Sequence, residues 1–194
     1  MRSPLTRGLG EIGKAARYAL SMLRRRLVHT NLQILYHCNF RCSICDFWKP
    51  EYARLPRLSP AQVEVIAGKL DRIGPQIVSI GGGEPLIHPE IVDIVRILAR
   101  RHFPVMICNG WYVTPELARA LWSAGMYEIS VSVDYSDPER HDGQRGKPGA
   151  YEHAWRALRA LHEARTNPFQ RVHLISVVMQ DNLPHLEALI RRCR

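Results

Sequence analysis

Long apolar runs are missing from the 194 residues, and none approaches the roughly 18–20 consecutive positions that a bilayer span requires. A signal-peptide segment is missing too, since Met1 to Gly13 carries basic residues without an apolar stretch. A cytoplasmic location is the expectation, and clustered thiols agree with a reducing compartment. Acidic residues are the minority, 18 against 27 Lys and Arg, which gives a formal net charge of +9. Charge of that sign suits nucleic acid or an anionic surface. Aromatic residues make up only 8%, however, and do not interleave with the basic clusters Arg24-Arg25-Arg26, Arg100-Arg101 and Arg191-Arg192. A single-strand groove needs that interleaving, so no nucleic-acid partner is expected. The five cysteines are an odd count without a second Cys pair, which argues against both a disulfide framework and a paired zinc spacing. Hydrophobic residues, at 46%, are enough for one domain core and few for two.

The cysteines that are present are concentrated in one stretch. Cys38, Cys42 and Cys45 follow the apolar run Leu32 to His37. A strand ending in a short loop can turn three sulfurs at these spacings toward one centre. Cubane iron–sulfur clusters normally take four thiolates, so a set of three reserves one iron for another ligand. Zinc is the competing reading, with a histidine such as His37 as fourth ligand in a basic, nucleic-acid-binding module. Cys108 and Cys193 stand alone.

The C-x-x-x-C-x-x-C spacing, followed by Gly81-Gly82-Gly83-Glu84-Pro85, resembles the radical S-adenosylmethionine (radical SAM) enzymes, from about Leu32 to Asn182. The resemblance implies a 4Fe-4S cluster held by Cys38, Cys42 and Cys45, with SAM chelating the fourth iron through its amino and carboxylate groups. It further implies that Gly82, Gly83, Glu84 and Pro85 hold the methionine amino group. Ile44 would offer a backbone contact to adenine, where many relatives have a stacking aromatic. Ser132 and Arg145 would contact SAM, while His141 reads as structural. Relatives usually end the third strand Thr-Asn-Gly, whereas here it reads Cys108-Asn109-Gly110. An unidentified substrate and an electron donor such as a flavodoxin or ferredoxin are the implied partners. A truncated cluster-binding protein without turnover is a third reading.

The remaining pattern fits that family. Ile12, Ala16, Leu20, Leu23 and Leu27 recur at spacings of three and four, which predicts an amphipathic helix within residues 8–27. Such a helix would cover the open end of the following domain or, with its basic face, make peripheral contact with a membrane. Residues 1–30 form a basic helical extension in this reading, and residues 31–194 a radical SAM core domain that is incomplete at its C-terminal end. Strands are expected at residues 32–37, 76–80, 105–108, 127–133 and 172–179. The helices between them begin at Ser59-Pro60, Pro89, Thr114-Pro115 and Tyr151, and Asn182 caps a last one. Residues 46–58 read as loop, and Arg145 lies in a loop. Alternating strands and helices imply a parallel sheet, and about five units imply an open partial (β/α) barrel.

Ligands in parallel α/β folds gather at the carboxyl ends of strands, where each of these motifs lies. The fourth strand, Ser130-Val131-Ser132-Val133-Asp134, places three polar residues on one face. Buried there, they need partners.

Overall fold

The computed structural model describes residues 4–193, with side chains from Gly10 onward. Helix α1 (Pro4–Leu23) leads into five strands, β1 (His29–Leu35), β2 (Ile77–Gly82), β3 (Phe103–Cys108), β4 (Glu128–Ser132) and β5 (Arg171–Ile175). All neighbours pair in parallel in the order β1-β2-β3-β4-β5, so β1 and β5 are the two edges of an open sheet. The connections carry α2 (Pro50–Ala53) and α3 (Pro60–Asp71), then α4 (Ile91–Ala99), α5 (Pro115–Ala124), and α6 (Pro138–Arg145) with α7 (Ala150–Glu163). Helix α8 (Leu186–Arg192) follows β5. This is the open partial barrel that the alternation implied.

The helices start and stop where local chemistry dictates. Ser59 and Gln62 form a reciprocal capping box with Pro60 in the first turn of α3. Thr114 caps α5 by accepting from Leu117 N, and Gly125 ends it in the left-handed conformation.

Strand alternation separates two environments. Ile34, Val78, Ile80, Met106, Ile129, Val131 and Val133 are buried in the core beneath α4, α5 and α7. The opposite, concave face carries Asn31, Gln33, Ser79, Glu128, Ser130 and His173, with Val105 and exposed Ile107 and Ile175 between them. His29 Nε2 lies 2.7 Å from Ser79 Oγ, and His173 Nδ1 lies 3.3 Å from Glu128 Oε1.

Several elements differ from the sequence expectation. Residues 46–58 hold the short helix α2, and residues 138–145 form α6 rather than a loop. The fifth strand stops at Ile175 because residues 177–179 turn to side-chain partners. Asp134 Oδ1 accepts from Val177 N at 2.8 Å, and Asn182 Oδ1 accepts from Met179 N at 2.8 Å. Asn182 therefore does not cap the last helix. Its wholly buried amide also donates to Val177 O and Asp134 O, at 2.8 and 3.0 Å.

Helix α1 lies against the N-terminal pole of the sheet, but with its polar face inward. Lys14 donates to Ala99 O at 3.3 Å and stands 4.6 Å from the Phe103 ring, on which Tyr18 packs edge-on. The apolar stripe points outward, with Ile12 68% and Leu23 82% exposed. No described helix is long and apolar enough to cross a membrane.

Candidate functional site

The loop of Cys38, Cys42 and Cys45 leaves the carboxyl end of β1 and is held on three sides. Beyond β2, Gly83 N donates to Leu35 O at 3.1 Å and Glu84 N to His37 O at 2.9 Å, so the glycine run extends strand pairing up to Cys38. A Cβ on Gly83 would stand 2.0 Å from His37 O, and one on Gly82, at φ +136°, 1.9 Å from Leu35 O. Only glycine permits that approach. On the second side, Arg41 N and Ser43 N donate to Arg145 O and Gln144 O at the end of α6, at 3.2 and 2.9 Å. On the third, Asn109 Nδ2 donates to Asn39 Oδ1 at 2.8 Å, and buried Phe40 packs edge-on against Trp111. Trp111 is itself stacked on His153 with ring centroids 3.8 Å apart, and the Lys147 ammonium stands 4.4 Å from its ring.

Glu84 is 2% exposed, and both of its oxygens face backbone amides. Oε1 accepts from Leu86 N at 3.1 Å and Oε2 from Asn109 N at 2.8 Å, which ties the end of β2 to the end of β3. Burial pushes its pKa up to about 7, against the opposing pull of those two amides and of Arg145. Pro85 begins the 3-10 turn Pro85–Ile87 that follows.

Arg145 is buried at the last turn of α6 and reaches Asp134 Oδ2 at 2.5 Å. Asp134 is fully buried, so this pairing spares the core an isolated charge. The same guanidinium stands beside the Cys42 thiol and lowers its pKa, although burial is the larger influence and raises it. Burial also lifts Cys38 to about 11, with Glu84, Cys42 and Cys45 adding to the rise. His141, below Arg145, is held down to about 4 by burial and by that arginine, and its Nδ1 accepts from Asp134 N at 3.2 Å. The neutral ring is structural, as expected from the sequence.

The structure therefore gathers Cys38, Cys42, Cys45, Gly82, Gly83, Glu84, Pro85 and Arg145 at one end of the sheet. Ile44, between two of the cysteines, is 46% exposed, and Ser132 is half-buried at the carboxyl end of β4. His37 is exposed. Among the described residues, no three His, Cys, Asp or Glu side chains stand close enough together to hold a metal ion as they are.

The donor chemistry nevertheless fits an iron–sulfur cluster with an open iron. The three thiols are free, share one pinned loop and influence one another electrostatically. In that loop and at the end of α6 that pins it are buried polar atoms without partners, namely Asn39 Nδ2, Gln144 Oε1 and Arg145 Nε. Buried polar groups are normally satisfied, so this concentration points to a polar occupant. Asn39, Asn109 and Gln144 were not singled out from the sequence as site residues. Lone amides outside an apolar stripe carry no periodic signal, and only the folded neighbourhood reveals them.

A family model of the Radical SAM superfamily matches residues 32–193. The AdoMet-dependent heme synthase of Methanosarcina barkeri is 32% identical over 69% of this chain and 38% of its own length. The mycofactocin maturase MftC of Mycolicibacterium smegmatis is 32% identical over 80% of this chain and 38% of its own. The GTP 3',8-cyclase of Microcystis aeruginosa is 29% identical over 83% and 52%. The chain thus spans about half or less of the length of these relatives. Among solved structures, Streptococcus suis SuiB bound to the precursor peptide SuiA superposes with a TM-score of 0.73 at 14% identity, over 92% of this chain and 40% of that one. Native anSMEcpe with bound AdoMet gives 0.69 at 14% identity, over 85% of this chain and 47% of that one. With the family model covering the sheet and the pinned cysteine loop, the chain belongs to the radical SAM superfamily.

Proposed function

We propose that this chain is the core domain of an enzyme that cleaves S-adenosylmethionine reductively and uses the radical to abstract hydrogen from a substrate. Residues 31–194 form that domain in this reading, and residues 1–30 an extension to it. The observation that carries the reading is the three-thiol loop, pinned between the glycine run after β2 and the end of α6, with unpartnered buried polar atoms of Asn39, Gln144 and Arg145 at it. A 4Fe-4S cluster with SAM at its open iron would supply the one-electron cleavage of the sulfonium to methionine and the 5′-deoxyadenosyl radical.

The residues then divide the work by position. Cys38, Cys42 and Cys45 hold the cluster. Gly82, Gly83 and Glu84, with Pro85 fixing the turn, present backbone and carboxylate to the methionine amino group. Both Glu84 oxygens already accept from backbone amides, so the carboxylate is oriented before SAM arrives. Arg145 offers a guanidinium fork to a carboxylate, Ser132 a hydroxyl, and Ile44 its backbone. The concave face, with Ser79, Glu128 and His173 beside exposed Ile107, supports a substrate that offers both polar and apolar groups. A one-electron donor of the flavodoxin or ferredoxin kind completes the reaction. Peripheral contact of α1 with a membrane belongs to the same reading.

The test is to reduce the cluster-loaded protein in the presence of SAM and quantify 5′-deoxyadenosine and methionine. Both should form in equal amounts and vanish in Cys42→Ala. Protein that keeps its cluster and binds SAM, yet releases neither product under any reductant, would leave only a binding role.

A further inference from the structure

At the pole opposite the cysteine loop, the end of α1 and the turn between α3 and β2 line a partly open cavity of about 170 Å³. Four arginines line it, Arg17, Arg24 and Arg26 from α1 and its exit and Arg72 from the end of α3. Asp71 is the one carboxylate in the lining, and it is shared, at 3.3 Å from Arg17 and 3.6 Å from Arg101. Arg26 donates to Ile73 O at 3.3 Å. Arg24 and Arg72 have no ion pair or side-chain hydrogen bond among the described residues.

Helix capping accounts for part of this basic lining. The carboxyl ends of α1 and α3 both approach the cavity, and each carries roughly half a negative charge. Setting those and Asp71 against four guanidinium groups leaves an excess of about two positive charges. The turn is also shaped for closeness: a Cβ on Gly74, at φ +135°, would stand 2.4 Å from Ser21 Oγ. Ser21 is buried against it and lines the same cavity.

We propose that this cavity is a binding site for a phosphate group. Guanidinium forks pair with phosphate through parallel N–H···O bonds, and a tetrahedral anion offers oxygens to forks arriving from several directions. A carboxylate, with two oxygens in one plane, satisfies fewer of them. Nothing in the radical chemistry uses this pole, so the site stands independently of it. The phosphate belongs either to a soluble ligand or to a lipid headgroup, because half-exposed Leu20 lines the cavity while exposed Leu23 ends α1 and exposed Leu27 follows it.

The experiment titrates inorganic phosphate into the cluster-loaded chain by calorimetry, and separately measures sedimentation with phosphatidylglycerol or phosphatidylcholine vesicles. Wild type is compared with Arg24→Gln/Arg72→Gln, whose side chains make no ion pair or hydrogen bond among the described residues, and with Arg156→Gln/Arg159→Gln, which removes equal charge elsewhere. Phosphate affinity should fall at least tenfold in the first variant and little in the second. Binding to phosphatidylglycerol vesicles that is lost in the same variant, and weakened by Leu23→Ser, assigns the phosphate to a lipid. Phosphate binding without vesicle binding assigns it to a soluble ligand. No binding in either arm, or equal losses in the two charge-matched variants, overturns the proposal.

Discussion

Cys108 and the three loop cysteines are chemically alike, yet only the loop three share a pinned segment, and Cys108 is sealed in the core at 2% exposure. Cys38→Ala, Cys42→Ala and Cys45→Ala should each abolish retention of iron and sulfide, while Cys108→Ala and Cys193→Ala keep them. Loss of iron in Cys108→Ala as complete as in Cys42→Ala would defeat the three-ligand account. Glu84 makes a different prediction, because its carboxylate ties two loops as well as offering charge. Glu84→Gln presents an amide N–H₂ where an acceptor was, so one of the two backbone amides loses its bond, at a cost of about 1–3 kcal/mol. SAM affinity, read by titration, should fall with the cluster retained. The pH dependence has a fixed sign in the protein without SAM. A carboxyl with its folded pKa raised to about 7, above the 4.5 of an ordinary glutamate, stabilises the fold most below pH 4.5 and loses that contribution as pH rises through 7. In urea unfolding, the stability of wild type relative to Glu84→Gln should therefore decrease between pH 5 and pH 8. An increase would mean that the carboxylate is held ionised.

Helix α6 is the element that the sequence hides. Its residues Pro138 to Arg145 carry no apolar stripe, and its buried members, His141 and Arg145, are polar, so hydrophobic periodicity gives no signal. Asp137 at its N-cap and Gly146 at its end are the marks that do survive in sequence. Its end clasps the cysteine loop so closely that a Cβ on Gly146, at φ +59°, would stand 2.3 Å from Arg41 O. Gly146→Ala should cost on the order of 1–3 kcal/mol and lower iron content. Gly143→Ala, in the same helix with open space around it, should be neutral or stabilising by about 0.5–1 kcal/mol. Equal loss of iron in the two variants would show that the clasp does not matter. The end of β5 misled for a related reason. Val172 to Met179 is rich in apolar and β-branched residues, but buried Asp134 and Asn182 draw the backbone after Ile175 away from the ladder. Asn182→Ala, which leaves a buried amide and two carbonyls without partners, should destabilise by on the order of 2–4 kcal/mol in denaturant unfolding. Retained stability would return that segment to the strand.

For the molecule as a whole, the parallel order was legible because strands and helices alternate with clear caps at Ser59, Thr114 and Gly125. The position of α1 was only half legible. Its periodicity was correct, but the residues that touch the domain are Lys14, Arg17, Tyr18 and Ser21, which use alkyl stems, an aromatic edge and a glycine contact rather than the apolar stripe. The cysteine and glycine motifs pointed to the end of the sheet where the structure brings them together, whereas the unpartnered amides of Asn39 and Gln144 required the assembled fold. What unites these parts is one claim, that three thiolates leave an iron open for SAM. EPR of the anaerobically reconstituted, reduced protein tests it directly when recorded with and without SAM. The account predicts a 4Fe-4S signal whose g values and line shape shift on adding SAM. A signal that is identical in both samples, from protein shown to carry a full cluster, would contradict it.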